Sequence, residues 1–357
     1  MASPVSASSG LRALYKNNNR EFAMQIDIKT SSVKPVRSTY AYVQKRFGDK
    51  PASRYQEASY DIQEEINFHY RPLWQPEYEI FDTRRTALVM QDWYALKDPR
   101  QLYYGSYTLM RARQQEVLES NFAFVEKNDL FASMPAELLV KARKWLVPLR
   151  HYEWGANMNN SFITGYAYGA VLANATMFAT MDRLGSAQYL TRIGLLLDGN
   201  QPGVLEQGKD DWLDAPCWQP LRESMEHLFL VKDWGELFVA QNLVFDGYLY
   251  PLVKHIVEHE MVGKGGSGIG MLTAFMSEWF EETQPWVNSV LKTLASESPA
   301  NCQHLLCWID NWRARARHAA SALLQALGAN SLELEQLDAI FALRLSRMGL
   351  HVEEVSA

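Results

Sequence analysis

From residue 98 onward, apolar positions recur at helical spacing, and cap and breaker residues punctuate them. Asp98 and Pro99 read as an N-cap and a first helical residue. The helix they open is expected to reach about Lys127, carrying Tyr103, Tyr107, Met110, Leu118, Phe122 and Val125; at 1.5 Å per residue it spans about 43 Å. Ser133-Met134-Pro135 opens the next helix, and Pro148 should kink or split it. The pattern resumes to about Leu184, where Gly185 is expected to end it. Short helices are expected at 186–197 and 218–230, a long one at 234–261, and others at 269–295, 302–327 and 331–348. Strand patterns are scarce, so the fold class is all-α.

Residues 24–97 lack that period and read as an irregular arm before a helical domain at 98–357. Gln25 to Thr30 alternate weakly, as a short strand would, and Pro35, Pro51, Pro72 and Pro76 break any long helix. The run Asn67 to Tyr78 concentrates aromatic rings, which must bury against this chain's own body or a partner. Residues 1–23 have no apolar core of the kind a signal peptide needs and are expected to show little order. Between Trp154 and Met181 no residue is charged, but asparagines and threonines interrupt the segment. A buried bundle helix accounts for this better than a membrane span. Gly165 and Gly169 would let a neighbouring helix approach closely.

Composition narrows the function. The 357 residues are 47% apolar and 21% charged, which suits a folded globular chain. A net charge of -6 with dispersed basic residues gives no nucleic-acid footprint. Cys217, Cys302 and Cys307 form no CxxC, which fits a reducing, cytoplasmic setting. Eleven Trp, 17 Tyr and 15 Phe suit a chain with an extensive buried contact. The glycines of Gly263 to Gly270 spell GxGxxG but follow a helix, not a strand, so they read as a connector. His255 and His259 share a helix face where zinc could bind, though surface histidines are the simpler reading. Glu153, Glu236 and Asp246 are acids among apolar neighbours. If buried they need partners, and Arg150, Arg183 and Arg192 are available for an ion-pair network. A ferritin-like di-iron bundle needs a Glu from each of two helices and a Glu-x-x-His pair from each of two others. No Glu or Asp here has His three residues downstream; after Glu153 that position is Ala156.

Several ordered segments together resemble one family. They are Arg46 to Asp61 (Arg-Phe-Gly-Asp-Lys-Pro-Ala-Ser-Arg-Tyr-Gln-Glu-Ala-Ser-Tyr-Asp), Asn67 to Trp74, Asp98 to Gln101 with Tyr103-Tyr104-Gly105, and Leu146 to His151. Further on come Gly155 to Ser161, Met181 to Gly185 and Arg192 to Asp198. They look like the beta (small) subunits of the oxygenase components of bacterial multicomponent phenol hydroxylases, within the soluble di-iron monooxygenases. The resemblance runs from about Met24 to about Glu353. It implies a ferritin-like bundle without metal ligands, in an (αβγ)2 complex whose alpha chain carries the di-iron centre. It also implies a reductase with FAD and a 2Fe-2S cluster that takes electrons from NADH, and a small effector protein. The reaction would be phenol to catechol. No catalytic or metal residue is expected on this chain, and neither nucleic acid nor membrane as a partner. Phe68, Tyr70, Trp74, Tyr78, Tyr103 and Tyr104 are candidates for the subunit contact. A beta chain of a toluene or alkene monooxygenase, a self-sufficient metalloenzyme using His255 and His259, and a plain helical binding module remain as alternatives.

Overall fold

The structure is a computed structural model that describes residues 46, 48, 52–60, 62, 71–328 and 331–351. The chain forms two compact units, residues 1–57 and 58–357. The segment 1–23, the strand expected at Gln25 to Thr30, and Phe68 and Tyr70 lie outside the described residues. A short helix, Arg54–Ser59 (α1), precedes a stretch of turns and two single-turn 3-10 helices, Thr83–Arg85 and Trp93–Ala95. The body of the second unit is helical, and no strand occurs among the described residues. Its elements are α2 (Tyr104–Lys127), α3 (Ala136–Leu146), α4 (Leu149–Tyr166), α5 (Ala170–Leu197), α6 (Gly203–Asp214) and α7 (Gln219–Leu228). A long rod, α8, follows; it is built from Trp234–Phe238, Val239–Phe245, Asp246–His255 and Ile256–Met261 without a break. Then come α9 (Ser267–Glu297), α10 (Pro299–Ala326) and α11 (Ser331–Arg347). Among the described residues no helix is long and apolar enough to cross a membrane.

Two expected boundaries move. Asp98-Pro99 does not start the first long helix. The Asp98 carboxylate accepts from the backbone N–H of Arg100 at 2.9 Å, closing a local turn, and Gln101 then adopts φ 51. The helix begins at Tyr104, with Ser106 bonding back to the Tyr103 N–H at 3.0 Å. Gly185 does not end α5; the helix runs through it to Leu197 and absorbs the separate helix expected at 186–197. The break comes earlier, at Ala167 to Gly169, where Gly169 has φ 97 and ψ 120, a conformation side chains resist. Gly169 is therefore a turn residue, and Gly165 is exposed, so neither glycine seats a helix of this chain. Pro148 splits the chain into α3 and α4 as its geometry requires. The helix α6 was not anticipated.

The rod α8 is the axis of the core. Every residue from Leu237 to Tyr250 is buried, including Gln241, Asn242 and Asp246. Two of its stretches, Val239–Phe245 and Ile256–Met261, are π-helical, a local widening by one residue per turn that is rare and often sits at functional sites. Helices α4 and α5 run antiparallel, tied by Asn157 Nδ2 to the Thr180 carbonyl at 2.7 Å and by the Thr164 and Thr176 hydroxyls at 2.9 Å. The stretch before α2 joins the same core: Leu88, Met90, Trp93 and Leu96 are buried in it, and Trp93 packs 5.6 Å from Trp234. Gly208 lets α6 close on the α3–α4 corner, since a Cβ there would sit 2.4 Å from Val147.

His151 at the start of α4 stacks on Trp212 at 5.9 Å. Burial, together with the charges of Arg150 and Lys209, pushes its pKa down to about 4 from 6.5. The folded state thus keeps the ring neutral where the unfolded chain protonates it. That contribution to stability is complete above pH 6.5 and drains away as pH falls toward 4. The ring is only half-buried, so the loss is expected to be no more than about 1 kcal/mol. Urea denaturation at pH 7 and pH 4 should show a smaller acid loss in His151→Gln than in the parent chain.

Candidate functional site

At the centre of the bundle sits a cation. Arg183 of α5 is fully buried, at 0% exposure. Its Nη1 donates to Glu153 Oε2 on α4 at 3.0 Å and to the Tyr250 hydroxyl on α8 at 2.9 Å. Its Nη2 donates to Asp246 Oδ2 on α8. The second oxygen of each acid takes a tyrosine from the opposite helix. Tyr250 donates to Glu153 Oε1 at 2.8 Å, and Tyr152 of α4 donates to Asp246 Oδ1 at 2.6 Å. Gln241 adds a bond to Asp246 Oδ1 at 3.1 Å, five residues away along the π-helical stretch, and receives one from Asn159 at 2.9 Å. The ring of Trp279 on α9 lies 4.3 Å from the guanidinium carbon.

Burial alone would drive the Arg183 guanidinium down, but Asp246, Tyr250 and Glu153 reverse this and hold it well above its usual value. Burial pushes the Glu153 carboxyl up, against the pull of Arg183 and Tyr250. Burial, reinforced by the neighbouring Asp246, also keeps the Tyr152 hydroxyl protonated far above its usual range, so it acts as a donor.

One residue before Arg183, Asp182 starts a second set of bonds. It accepts from Tyr107 at 2.8 Å, from Arg111 at 2.7 and 2.6 Å, and from the Trp279 indole at 2.9 Å. Arg111 continues to Glu282 at 2.7 Å, Glu282 to Arg100 at 3.3 Å, and Arg100 to Asp98 at 3.0 Å. Charges alternate in sign along this line, so each carries its own counter-ion. The arrangement supplies rigidity and fixed protons; it contains no activated nucleophile.

A model of the methane/phenol/alkene hydroxylases matches residues 74–298. The chain belongs to that family. This hydroxylase-family chain is 48% identical over 331 residues to the phenol 2-monooxygenase oxygenase component DmpL of Pseudomonas sp. (strain CF600), covering 93% of this chain and 100% of the relative. It is 27% identical over 285 residues to the beta subunit of the toluene-4-monooxygenase hydroxylase of Ectopseudomonas mendocina, covering 77% of this chain and 83% of the relative. Its fold superposes on phenol hydroxylase from Pseudomonas sp. OX1 with a TM-score of 0.85 at 43% identity, over 92% of this chain and all of that one.

The residues do not fit a di-iron centre. Glu153 and Asp246 could serve as the two lone carboxylates. However, the inward residues of the other two helices are Arg183 with Ser186 one turn on, and Trp279 and Phe280 with Thr283 one turn past Phe280, where Glu-x-x-His pairs would be required. A cation already fills the space between the acids. His255 and His259 lie 4.6 Å apart ring to ring, but among the described residues no group of three or more His, Cys, Asp or Glu is set to hold a metal ion. The glycine run closes α8 and opens α9, with Gly265 at φ 99, as a connector should.

Of the expected ion-pair partners, only Glu153, Asp246 and Arg183 meet. Glu236 accepts from the Trp312 indole at 2.9 Å, Arg150 donates to the Leu205 carbonyl at 3.1 Å, and Arg192 pairs with Glu119 on the surface at 2.7 Å. Tyr152, Tyr250 and Gln241 were not anticipated; the one available signal was their placement beside and one turn from the acids. Among the contact candidates, Trp74 is 77% exposed, with its indole N–H 3.3 Å from the Tyr166 hydroxyl, and Tyr104 is 74% exposed. Tyr78 lies under the Arg84 and Arg85 guanidiniums, and Tyr103 is half-buried.

The uncharged segment shows an unexpected outer side. Trp154, Met158, Ser161 and Gly165 of α4 are exposed, as are Met177, Met181, Leu184 and Gln188 of α5. Each set advances by four, three and four residues, the spacing of a seam that receives another helix. A solvated helix face carries charge; this one carries none.

Proposed function

We propose that this chain is the non-catalytic beta subunit of the oxygenase component of a multicomponent phenol hydroxylase. A larger alpha subunit carries the di-iron centre, and the complex uses NADH and O2 to convert phenol to catechol. The observation that carries this reading is the buried Arg183, a fixed cation that fills the space between Glu153 and Asp246 in a bundle whose other two helices bring no Glu-x-x-His pair to the centre. The 48% identity to a phenol 2-monooxygenase component, against 27% to the toluene relative, favours phenol as the substrate of the complex. The assembly is an (αβγ)2 hydroxylase, served by an effector protein and by a reductase carrying FAD and a 2Fe-2S cluster. In this reading the chain contributes stiffness, since a metal site has to be held to about half an ångström by the shell around it.

The uncharged face of α4 and α5 is the docking surface for the alpha subunit, and exposed Trp74 and Tyr104 extend that contact. Co-expression with the larger chain tests the reading. Iron is expected only in the larger chain, and, with the gamma subunit, reductase and effector supplied, phenol-dependent NADH oxidation only when both chains are present. Stoichiometric iron and phenol oxidation by this chain alone would overturn it. Trp74→Ala is expected to loosen the complex in sedimentation runs, because truncated aromatic anchors commonly cost about 1 kcal/mol or more of binding. An unaltered profile would remove Trp74 from the contact.

A further inference from the structure

The misfit between this core and a metal centre points to a specific device. Two helix-borne carboxylates, Glu153 on α4 and Asp246 on α8, stand where the two lone carboxylates of such a centre could stand, and they converge on one group. That group is a side chain of α5, and its open face is covered by Trp279 of α9. All four helices around the centre therefore meet at a single positive charge. The remaining oxygens of both acids are occupied by tyrosine hydroxyls crossing between α4 and α8, and Gln241, itself held by Asn159, braces Asp246 from behind. This is the layout of a cation site: acids in contact with the charge, hydrogen-bond donors fixing the acids, and an aromatic wall excluding water.

The geometry points to Arg183 as a resident counter-cation, built into the chain at the place where two helix-borne acids converge, which ties α4, α5, α8 and α9 together as a bound metal ion would. A tethered guanidinium cannot dissociate or be chelated, and it requires no loading step. Its planar fork reaches two carboxylates at once, which a lysine ammonium could not do with the same geometry. The surrounding ligands are oxygens, so the site with the guanidinium removed should accept either a small guanidinium ion or a hard divalent cation such as Mn2+. The inference concerns this chain's own core and holds whatever the complex oxidises.

The test uses the full chain with Arg183→Ala. Loss of the partner leaves two buried acids uncompensated, and the melting temperature is expected to fall by roughly 10 °C. Millimolar ethylguanidinium or Mn2+ should restore it in a saturable manner, and adding Asp246→Asn to Arg183→Ala should abolish the response. The parent chain should melt at one temperature with or without a chelator. If Arg183→Ala does not fold, the charge-free set Arg183→Met, Glu153→Gln, Asp246→Asn is expected to fold, because neutralising every member leaves no orphaned charge. Four results would overturn the inference: an unchanged melting temperature in Arg183→Ala, a folded Arg183→Ala that answers neither cation, a parent chain that a chelator destabilises, or a charge-free set that also fails to fold.

Discussion

Asp246→Ala is expected to destabilise the chain by about 3–5 kcal/mol, the usual cost of removing one partner from a buried ion pair. The change leaves Arg183 Nη2 and the Tyr152 hydroxyl proton without their buried acceptor, and the Gln241 amide with only its bond to the Tyr152 oxygen at 3.0 Å. A domain's whole stability is commonly about 5–15 kcal/mol, so one substitution should remove a large share of it. A surface pair gives the contrast. Glu119 and Arg192 are 47% and 38% exposed, and Glu119→Ala is expected to move the urea midpoint far less than Asp246→Ala does. Urea midpoints of the two variants, measured side by side, decide the matter. Equal shifts would mean that the central cluster does not hold the bundle together.

Met181→Lys is expected to leave the isolated chain nearly as stable as before and to weaken its association with the alpha subunit by about 30-fold or more. Met181 is 48% exposed and Trp154 54%, so a lysine there meets solvent in the free chain and costs within about 0.5 kcal/mol. In the complex the same lysine would sit in a seam to which this chain brings no acid, and an unpaired charge at an interface commonly costs about 2 kcal/mol or more. Sedimentation of the co-expressed chains reads the association, and thermal melting of this chain alone reads the fold. A complex that survives Met181→Lys and Trp154→Ala intact would show that the partner docks elsewhere.

The helical periodicity and the prolines made most of the bundle legible. Pro148 splits α3 from α4 because a proline ring cannot extend a helix. The failures have local causes. Asp98 carries the signature of a helix cap, but its carboxylate serves a turn that Gln101 then redirects. Gly185 has the composition of a stop signal, yet the packing of α5 between α2, α4 and α9 outweighs the roughly 1 kcal/mol a mid-helix glycine costs. Glu153, Asp246 and Arg183 could be nominated as partners from their apolar surroundings. Their tyrosine companions could not, because those contacts cross between helices far apart in sequence, and Gln241 could not, because a spacing of five residues reaches its acid only through a π-helical turn. The exposed stripes were invisible for a similar reason: a segment with no charge reads as buried, and only the packing shows that one side of each helix is left uncovered.

The π-helical stretch Val239–Phe245 carries a consequence for insertions and deletions. Removing one residue there would tighten the widened turn to ordinary α-helix, and because the turn itself takes up the loss, everything beyond it would keep nearly the same facing relative to Trp234–Phe238. Asp246 and Tyr250 would then still face Glu153 and Arg183, whereas a residue lost from the α-helical turn between Asp246 and Tyr250 would rotate Tyr250 by about 100° off that axis. The frame of this helix is thus strict outside that window, while the window itself could lose a single codon other than that of Gln241 and still let the central cluster assemble.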